Sequence, residues 1–418
     1  MKSYQSRSKL IIIRVCAILF FTTTLALLYC NSSKDIVLSE EVTLLELKTA
    51  RDSLLQAKQQ PLEKLRQIDR EKYTVRINTW RRNDQLIASV NHYLTCPNVA
   101  QIQIVWCDET NEPPMQLFEH NDKHGARVVV ERHSINSLNE RFHILPDTYR
   151  DMPTLGVLSV DDDVLRSCEA INSGFYYWTD YPDRIVGFDF RVHMASNHIR
   201  DDRIDRNPIW SYGYLSSTQK RNQYSITLPR FCFIHRHYLN LYMKYAPTRI
   251  IKTVGDNFNC EDIAMSFFVS ALTNGNVPLL ADFWASMPSM VKLDSEQEIS
   301  KTDNHKVIRD ECVDKFGFLL GLKDGYELLE GTAGRKLWGR FSSKQLDHRS
   351  VFGMGDDHGV DTQSFEIRED FVQSRKNFTN KILSWIDSSE KTGQKKIPFQ
   401  NLKDDLHNQM KASGLIKH

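Results

Sequence analysis

The chain has 418 residues, enough for one large or two ordinary domains, and 41% of them are hydrophobic with 10% aromatic, a composition that excludes a disordered chain. Its formal net charge is only +1, so the charge balance gives no reason to expect nucleic acid as a bulk partner.

The N-terminal stretch differs from the rest. Residues 10–30 are apolar apart from Arg14 and the run Thr22, Thr23, Thr24. Lys2, Arg7, Lys9 and Arg14 precede or enter it, whereas Lys34 beyond it is balanced by Asp35. That asymmetry predicts a cytoplasmic tail over residues 1–9, a transmembrane signal anchor over 10–30 and translocation of everything after it. Residues 15–30 alone fall short of the ~20 needed to span a bilayer. Adding Ile11, Ile12 and Ile13, with Arg14 snorkelling toward the cytosolic face, makes the length adequate. A cleaved signal peptide is the rival reading, disfavoured because no small-x-small site follows the apolar run cleanly.

Residues 36–68 are rich in Leu, Glu, Lys and Gln, with Val42, Leu45, Leu54, Leu55, Leu62 and Leu65 loosely at helical spacing and Pro61 as a break. Residues 31–71 therefore read as a helical stem holding the globular part off the membrane. Too few heptads persist to specify a coiled coil, although a homodimer through this stem is compatible with them. Of the eight cysteines, Cys16 and Cys30 fall in the anchor. The others, Cys96, Cys107, Cys168, Cys232, Cys260 and Cys312, would face an oxidising lumen where disulfides are permitted. No C-x-x-C spacing suggests zinc. A Cys260–Cys312 bridge would tie a helix to a later segment and stabilise by roughly 4 kcal/mol in chain-entropy terms; the residues alone leave the pairing open. Asn31-Ser32-Ser33 and Asn377-Phe378-Thr379 are glycosylation sequons, the first close to the bilayer.

A globular domain is expected over residues 72–330. Alternation and β-branched content predict strands at residues 73–79, 102–106, 127–131, 154–160, 184–190 and 224–228. Helical spacing predicts helices at 84–94 and 169–178, and another opening at Asn259, a candidate N-cap. Strands alternating with helices imply an α/β domain with a mostly parallel sheet covered on both faces. Residues 193–223 lose periodicity and read as loops over the sheet edge. The C-terminal extension, 331–418, is polar and basic, with a last helix expected over 377–387.

The apolar run Leu155-Gly156-Val157-Leu158-Ser159-Val160 ends in Asp161-Asp162-Asp163. Adjacent carboxylates repel and are costly to desolvate unless positive charge sits among them. A hard divalent cation suits carboxylate oxygens, and ligands of open α/β sheets collect at the carboxyl ends of strands. The bland alternative is a solvated acidic turn. Arg82, beyond the first strand, and Arg141, beyond the third, could clamp a phosphate or pair with the triplet; taken singly, each reads rather as a solvated surface charge. Glu261 and Asp262 fall in the first turn of a helix, where carboxylates complement the dipole without any catalytic role.

Taken in order, Asn78-Thr79-Trp80-Arg81-Arg82-Asn83-Asp84, Ile104-Val105-Trp106, Asn136-x-x-x-x-Arg141, Leu158-Ser159-Val160-Asp161-Asp162-Asp163, Arg184-Ile185-Val186-Gly187-Phe188, Gln223-Tyr224-Ser225 and Asn259-Cys260-Glu261-Asp262-Ile263-Ala264-Met265 resemble the glycosyltransferase domain of the exostosin and exostosin-like family. The resemblance implies a GT-A fold, a Rossmann-like nucleotide-sugar half joined to an acceptor half. It also implies a single-pass type II protein of the Golgi or endoplasmic reticulum membrane with a lumenal catalytic domain. The activity implied is transfer of a sugar from a nucleotide-sugar donor with retention of configuration. The expected cofactor is Mn²⁺, with Mg²⁺ as the alternative, and the expected donor a UDP-N-acetylhexosamine; the acceptor would be a glycan or glycolipid.

By the same match Asp163 is the expected metal ligand, and Asp161 and Asp162 contact the ribose or orient the site. Asn78, Arg82, Asn136 and Arg141 fall on donor-binding positions, and Asp262, with Glu261 beside it, on the catalytic one. His305-x-x-x-Arg309-x-x-Cys312 matches a late element whose arginine binds the donor diphosphate and whose cysteine pairs with Cys260. Asn78 occupies a position where the family often has glutamine, and two departures stand out: Cys107-Asp108 replaces an asparagine-rich segment, and everything beyond about Gly331 has no counterpart in the family. A rival of another class is a catalytically inactive lumenal protein that binds glycans or a partner on the same fold. Retention of the triplet, Asp262 and Arg309 argues against it. A Mg²⁺ phosphohydrolase is more remote, because the triplet lacks an aspartate-x-aspartate-x-threonine continuation.

Overall fold

The computed structural model describes residues 42–118, 125–195, 210–221, 223–281, 291–293, 304–322 and 339–340. The expected tail, anchor, both sequons, the 377–387 helix and nearly all of the C-terminal extension lie outside these residues. Among the described residues no helix is long and apolar enough to cross a membrane.

The first helix, α1 (Leu44–Lys58), opens on a capping box: Glu46 N donates to Thr43 Oγ1 at 3.2 Å and Thr43 N to Glu46 Oε2 at 2.8 Å. The stem expectation needs correction here, because the compact unit already begins at Thr43. Ala50, Leu54 and Ala57 are buried, Arg249 pairs with Glu46 at 3.0 Å, and Lys58 Nζ donates to Asn274 at 2.8 Å. A helix is there, but of the residues whose spacing suggested it only Leu54 is buried, while Leu45 and Leu55 are exposed and Leu62 and Leu65 lie beyond its end; its buried stripe, Ala50, Leu54 and Ala57, is covered by the chain's own later helices, including α4 (Arg236–Tyr245) and α6 (Glu261–Leu272).

Strand β1 (Tyr73–Thr79), helix α2 (Asn83–Leu94), β2 (Val99–Trp106), β3 (Arg127–Arg132), β4 (Gly156–Asp161) and α3 (Cys168–Asp180) follow as expected, shifted by a residue or a few at their ends. The 184–190 strand is instead split into β5 (Val186–Gly187) and β6 (Phe190–Ala195), which belong to different sheets. The segment read as loops contains β7 (Trp210–Gly213) and a short helix Leu215–Arg221. Strand β8 (Phe231–His235), helix α4 and helix α5 (Thr248–Asn257) were not legible. Helix α6, β9 (Leu279–Leu280) and α7 (His305–Leu319) follow.

The main sheet has seven strands in the order β9-β5-β8-β4-β1-β2-β3. It is parallel except at β8, which runs antiparallel to both β4 and β5. A smaller antiparallel sheet joins β6, β7 and Ile226–Thr227. Because β1 pairs with β2 on one side and with β4 on the other, the order in which parallel strands are added reverses between β1 and β4, and a crevice opens at their carboxyl ends. The core buries Tyr73, Val75, Ile77, Ile102, Ile104, Leu158, Val160 and Phe233 completely. Trp178 of α3 lies on Gly156 so closely that a Cβ there would stand 2.7 Å from the indole, which fixes glycine at the entry of β4. A disulfide, Cys96–Cys168, ties the end of α2 to the start of α3; no sequence pattern pointed to that pairing.

Candidate active site

Asn78 of β1 and Asp161 of β4 are register neighbours at the switch point. Beyond β1 the chain turns through Arg81, a non-glycine residue at φ +56°, and the Arg81 Nε donates to Asp108 Oδ2 at 3.2 Å. The turn sets Arg82 against the triplet: its Nη2 lies 2.5 Å from Asp162 Oδ1 and its Nη1 3.1 Å from Asp163 Oδ2. Thr79 Oγ1 also donates to Asp162 at 2.7 Å, and Ser89 Oγ to the Asp162 carbonyl at 2.7 Å. Burial pushes the Asp162 carboxyl up to about 7 against the pull of Arg82, with Asp163 and Asp161 adding to the rise. Asp162 is wholly buried and holds Arg82 in place.

Arg141 sits in a tight helical turn, Leu138–Phe142, and its Nη2 donates to Asp161 Oδ1 at 2.5 Å. Burial opposes ionisation of Asp161, yet Arg141, with Arg82 and Arg230 farther off, holds its carboxyl below the ordinary value.

The opposing wall is the start of α6. Its cap is Cys260, in the left-handed region at φ 74°, and not Asn259 as the sequence suggested. The Asn259 side chain is taken elsewhere: its Oδ1 accepts from Cys260 N at 2.8 Å and from Arg309 Nη1 at 2.9 Å. A disulfide joins Cys260 to Cys312 of α7, so the helix that carries Arg309 is pinned beside the one that carries Asp262. Arg309 Nη2 donates to Asp262 Oδ2 and, at 2.8 Å, to the Tyr212 hydroxyl, while its guanidinium lies 4.2 Å from the centre of the Tyr212 ring. Burial, reinforced by Asp262, pushes Glu261 up to about 7 despite Arg141 and Arg309.

Both walls face one cavity of about 640 Å³. Every site residue expected from the sequence lines it except Asp162: Asn78, Arg82, Asn136, Arg141, Asp161, Asp163, Glu261, Asp262 and Arg309. Tyr212, Arg230 and the rim residue Trp80 line it too and were missed; Tyr212 and Arg230 stand in segments without a motif, and only membership of the quoted run marked Trp80. Several buried atoms of the lining residues have no hydrogen-bond partner among the described residues: Asn78 Oδ1, Arg141 Nε and Nη1, Asp262 Oδ1 and Arg309 Nε. Buried polar atoms are rarely left so in a finished fold, and their concentration around one cavity marks a polar ligand's place. Asp161 and Asp163 both line the cavity, and carboxylate oxygens are the donor type that suits Mn²⁺ or Mg²⁺.

The glycosyl transferase family 64 domain model matches residues 73–327, from β1 to just past α7. The chain belongs to glycosyl transferase family 64. It is therefore a glycosyltransferase, and the exostosin-like motif series agrees with the assignment. This family-64 chain is 32% identical over 279 residues to glycosylinositol phosphorylceramide mannosyl transferase 1 of Arabidopsis thaliana, an alignment spanning 64% of this chain and 78% of that one. It is 29% identical over 204 residues to human exostosin-like 2, spanning 48% and 58%. It is 30% identical over 234 residues to glucosamine inositolphosphorylceramide transferase 1 of Oryza sativa subsp. indica, spanning 56% of this chain and 28% of that relative.

Proposed function

We propose that this family-64 glycosyltransferase is a divalent-metal-dependent, retaining enzyme that moves a sugar from a nucleoside diphosphate donor to a glycolipid headgroup in the secretory pathway. The observation that carries the reading is the shared cavity: Asp163, where β4 ends, and Asp262, where α6 begins, line one space with arginines between them. In the transfer, the bond from the anomeric carbon to the diphosphate oxygen breaks, that carbon bonds to an acceptor hydroxyl oxygen, and the hydroxyl proton is lost to a base. The diphosphate leaves with its electron pair, so positive charge must meet it.

Asp163, with Asp161 beside it, would hold Mn²⁺ or Mg²⁺, which supplies Lewis-acid neutralisation of the leaving diphosphate. Arg82 and Arg141 orient those carboxylates and face the donor, and the Arg141 Nε and Nη1, which have no partner among the described residues, can donate to phosphate oxygens. Arg309 serves the diphosphate from the α7 side while keeping Asp262 in place. Asp262 Oδ1, buried and unpaired, is the atom assigned to the anomeric carbon, where it can add as a nucleophile or offset positive charge. Asn78 Oδ1, at the end of β1, is assigned to the nucleoside.

The glycolipid acceptor is supported by the names of two relatives, both transferases of inositolphosphorylceramide-type lipids. For the donor sugar, the motif series favours a UDP-N-acetylhexosamine, while the Arabidopsis relative is named for mannose. The test is a donor screen on the full chain with Mn²⁺, GDP-mannose and a panel of UDP-sugars, scoring nucleotide release. Release from one donor, abolished by chelator and restored by Mn²⁺, is expected. Undiminished release in chelator would remove the metal from the reading, and release from none would return the chain to the binding-protein alternative.

A further inference from the structure

The ion pair between Arg309 and Asp262 is one bond short of closing. Arg309 Nη2 donates to Asp262 Oδ2. The two atoms that would form a second, parallel bond, Arg309 Nε and Asp262 Oδ1, are both buried without a partner among the described residues. Arginine and carboxylate frequently meet through two such bonds. A buried pair that makes only one leaves a donor and an acceptor unsatisfied, at a cost in stability, so something must hold the fork aside.

Tyr212 and Asn259 hold it. Arg309 Nη1 is committed to Asn259 Oδ1 at 2.9 Å, and Nη2 donates a second hydrogen to the Tyr212 hydroxyl at 2.8 Å. The guanidinium also lies 4.2 Å from the centre of the Tyr212 ring. Having accepted from Arg309, the hydroxyl turns its own hydrogen toward Asp262 Oδ2 at 3.5 Å, the oxygen already bonded, and not toward Oδ1. Burial raises the Tyr212 phenol well above its ordinary range against the pull of Arg309, so it keeps that hydrogen. Tyr212 is itself fixed to the helix that carries Arg309. Its backbone N donates to Asp310 Oδ1 at 2.8 Å and Trp210 N donates to Asp314 Oδ1 at 3.0 Å, which ties β7 to α7 at two points.

We propose that Tyr212 is a positioning residue, which keeps Arg309 from closing over both oxygens of Asp262 and so leaves Oδ1 open to the sugar. The inference rests on the glycosyltransferase reading of the cavity, in which Oδ1 meets the anomeric carbon. An Asp262 bonded through both oxygens would have its charge spent on the arginine. Bonded through Oδ2 alone, it is fixed in place and keeps one oxygen for the reaction. Without the hydroxyl, Arg309 Nη2 has Asp262 as its single acceptor, and the guanidinium can turn until Nε meets Oδ1.

The test is Tyr212→Phe in the full chain, which keeps the ring against Arg309 and removes only the hydroxyl. With Mn²⁺ and the donor that the screen selects, kcat is expected to fall about tenfold or more. Calorimetric affinity for the matching nucleoside diphosphate should change by no more than about threefold, because Arg82, Arg141 and the aspartate triplet are untouched. A crystal structure of the variant should show Arg309 bonded to both oxygens of Asp262. An unchanged kcat overturns the proposal. So does a lowered kcat in a variant whose Asp262 Oδ1 is still unpaired, since the hydroxyl would then act on the substrate directly. A loss of nucleotide affinity that matches the loss of kcat overturns it too, because Tyr212 would be serving the donor. If the unaltered chain releases no nucleotide from any donor, the glycosyltransferase reading falls and takes this inference with it; release that Tyr212→Phe leaves undiminished removes this inference alone.

Discussion

Two buried charge clusters meet at the tight turn Leu138–Phe142, built from the same residue types but finished differently. On one side Arg76, inside β1, donates to Arg141 O at 3.0 Å, Gln103 Oε1 at 2.6 Å, Glu131 Oε1 at 2.6 Å and His143 O at 2.6 Å. His133 bridges Glu131 at 2.7 Å and Glu140 at 2.5 Å, and His143 Nδ1 reaches the same Glu140 oxygen at 2.8 Å. None of Arg76, Glu131, His133 and Glu140 contributes a buried atom without a partner. On the other side the cavity residues Asn78, Arg141, Asp262 and Arg309 all do. His133, Glu140 and His143 have the spacing of a metal site, but their atoms are already bonded to one another. A closed network holds a fold in one arrangement; an open one is completed by what binds. Arg141 belongs to both, with its carbonyl in the closed cluster and its side chain in the open one.

That contrast can be broken by exchanging the consequences. Removing a charge from the open cluster should cost function and little stability. Asp163→Ala is expected to lower transfer on the order of a thousandfold, while Tm moves by no more than about 2 °C, because Arg82 keeps Asp162 as its partner. A fall in Tm matching the loss of activity would mean the triplet is structural. Removing a charge from the closed cluster should do the reverse. Arg76→Met leaves Glu131 buried without its cation, which costs about 3–5 kcal/mol. Urea unfolding would measure it, and the fraction still folded should retain transfer. Undiminished stability would show that the network is not what holds the turn under Arg141.

How far the residues revealed this depends on what kind of pattern each part leaves. Strands β1 to β4 are rich in β-branched residues and announce themselves locally. Strand β8 reads Phe231-Cys232-Phe233-Ile234-His235, buried at every position, so it has no alternation, and nothing local says that it runs against its neighbours. Asp163 and Asp262 could be brought to one site only through the order of motifs, since a separation of this length carries no distance. The depth of Asp162 depends on Thr79 and Arg82 closing over it, a matter of packing. Arg230 lies beside a proline with no motif, and its partner Asp189 stands between β5 and β6, in a stretch that reads as one strand. Cys96 and Cys168 were legible as cysteines; their pairing required α2 and α3 to lie side by side.

The smallest expected effect is the sharpest probe of how open the cavity cluster is. Glu261 has its carboxyl pushed up to about 7, from a usual 4.5, by burial and then by Asp262, against Arg141 and Arg309. A carboxyl raised in the folded state binds its proton more tightly there than in the unfolded chain. Between about pH 5 and pH 7 the folded protein therefore holds the extra proton, and stability falls as pH rises through that window. In chelator-treated buffer the fall should be on the order of 2 kcal/mol from pH 5 to pH 8. Asp162, also raised, adds a decline of the same sign, so the difference between the unaltered chain and Glu261→Gln isolates Glu261. The glutamine variant keeps the side-chain shape and loses the titration, and its urea-unfolding profile should be flatter across that window. Identical profiles would mean that Glu261 is already solvated or paired, and the cluster around Asp262 would then be less open than its unpaired atoms indicate.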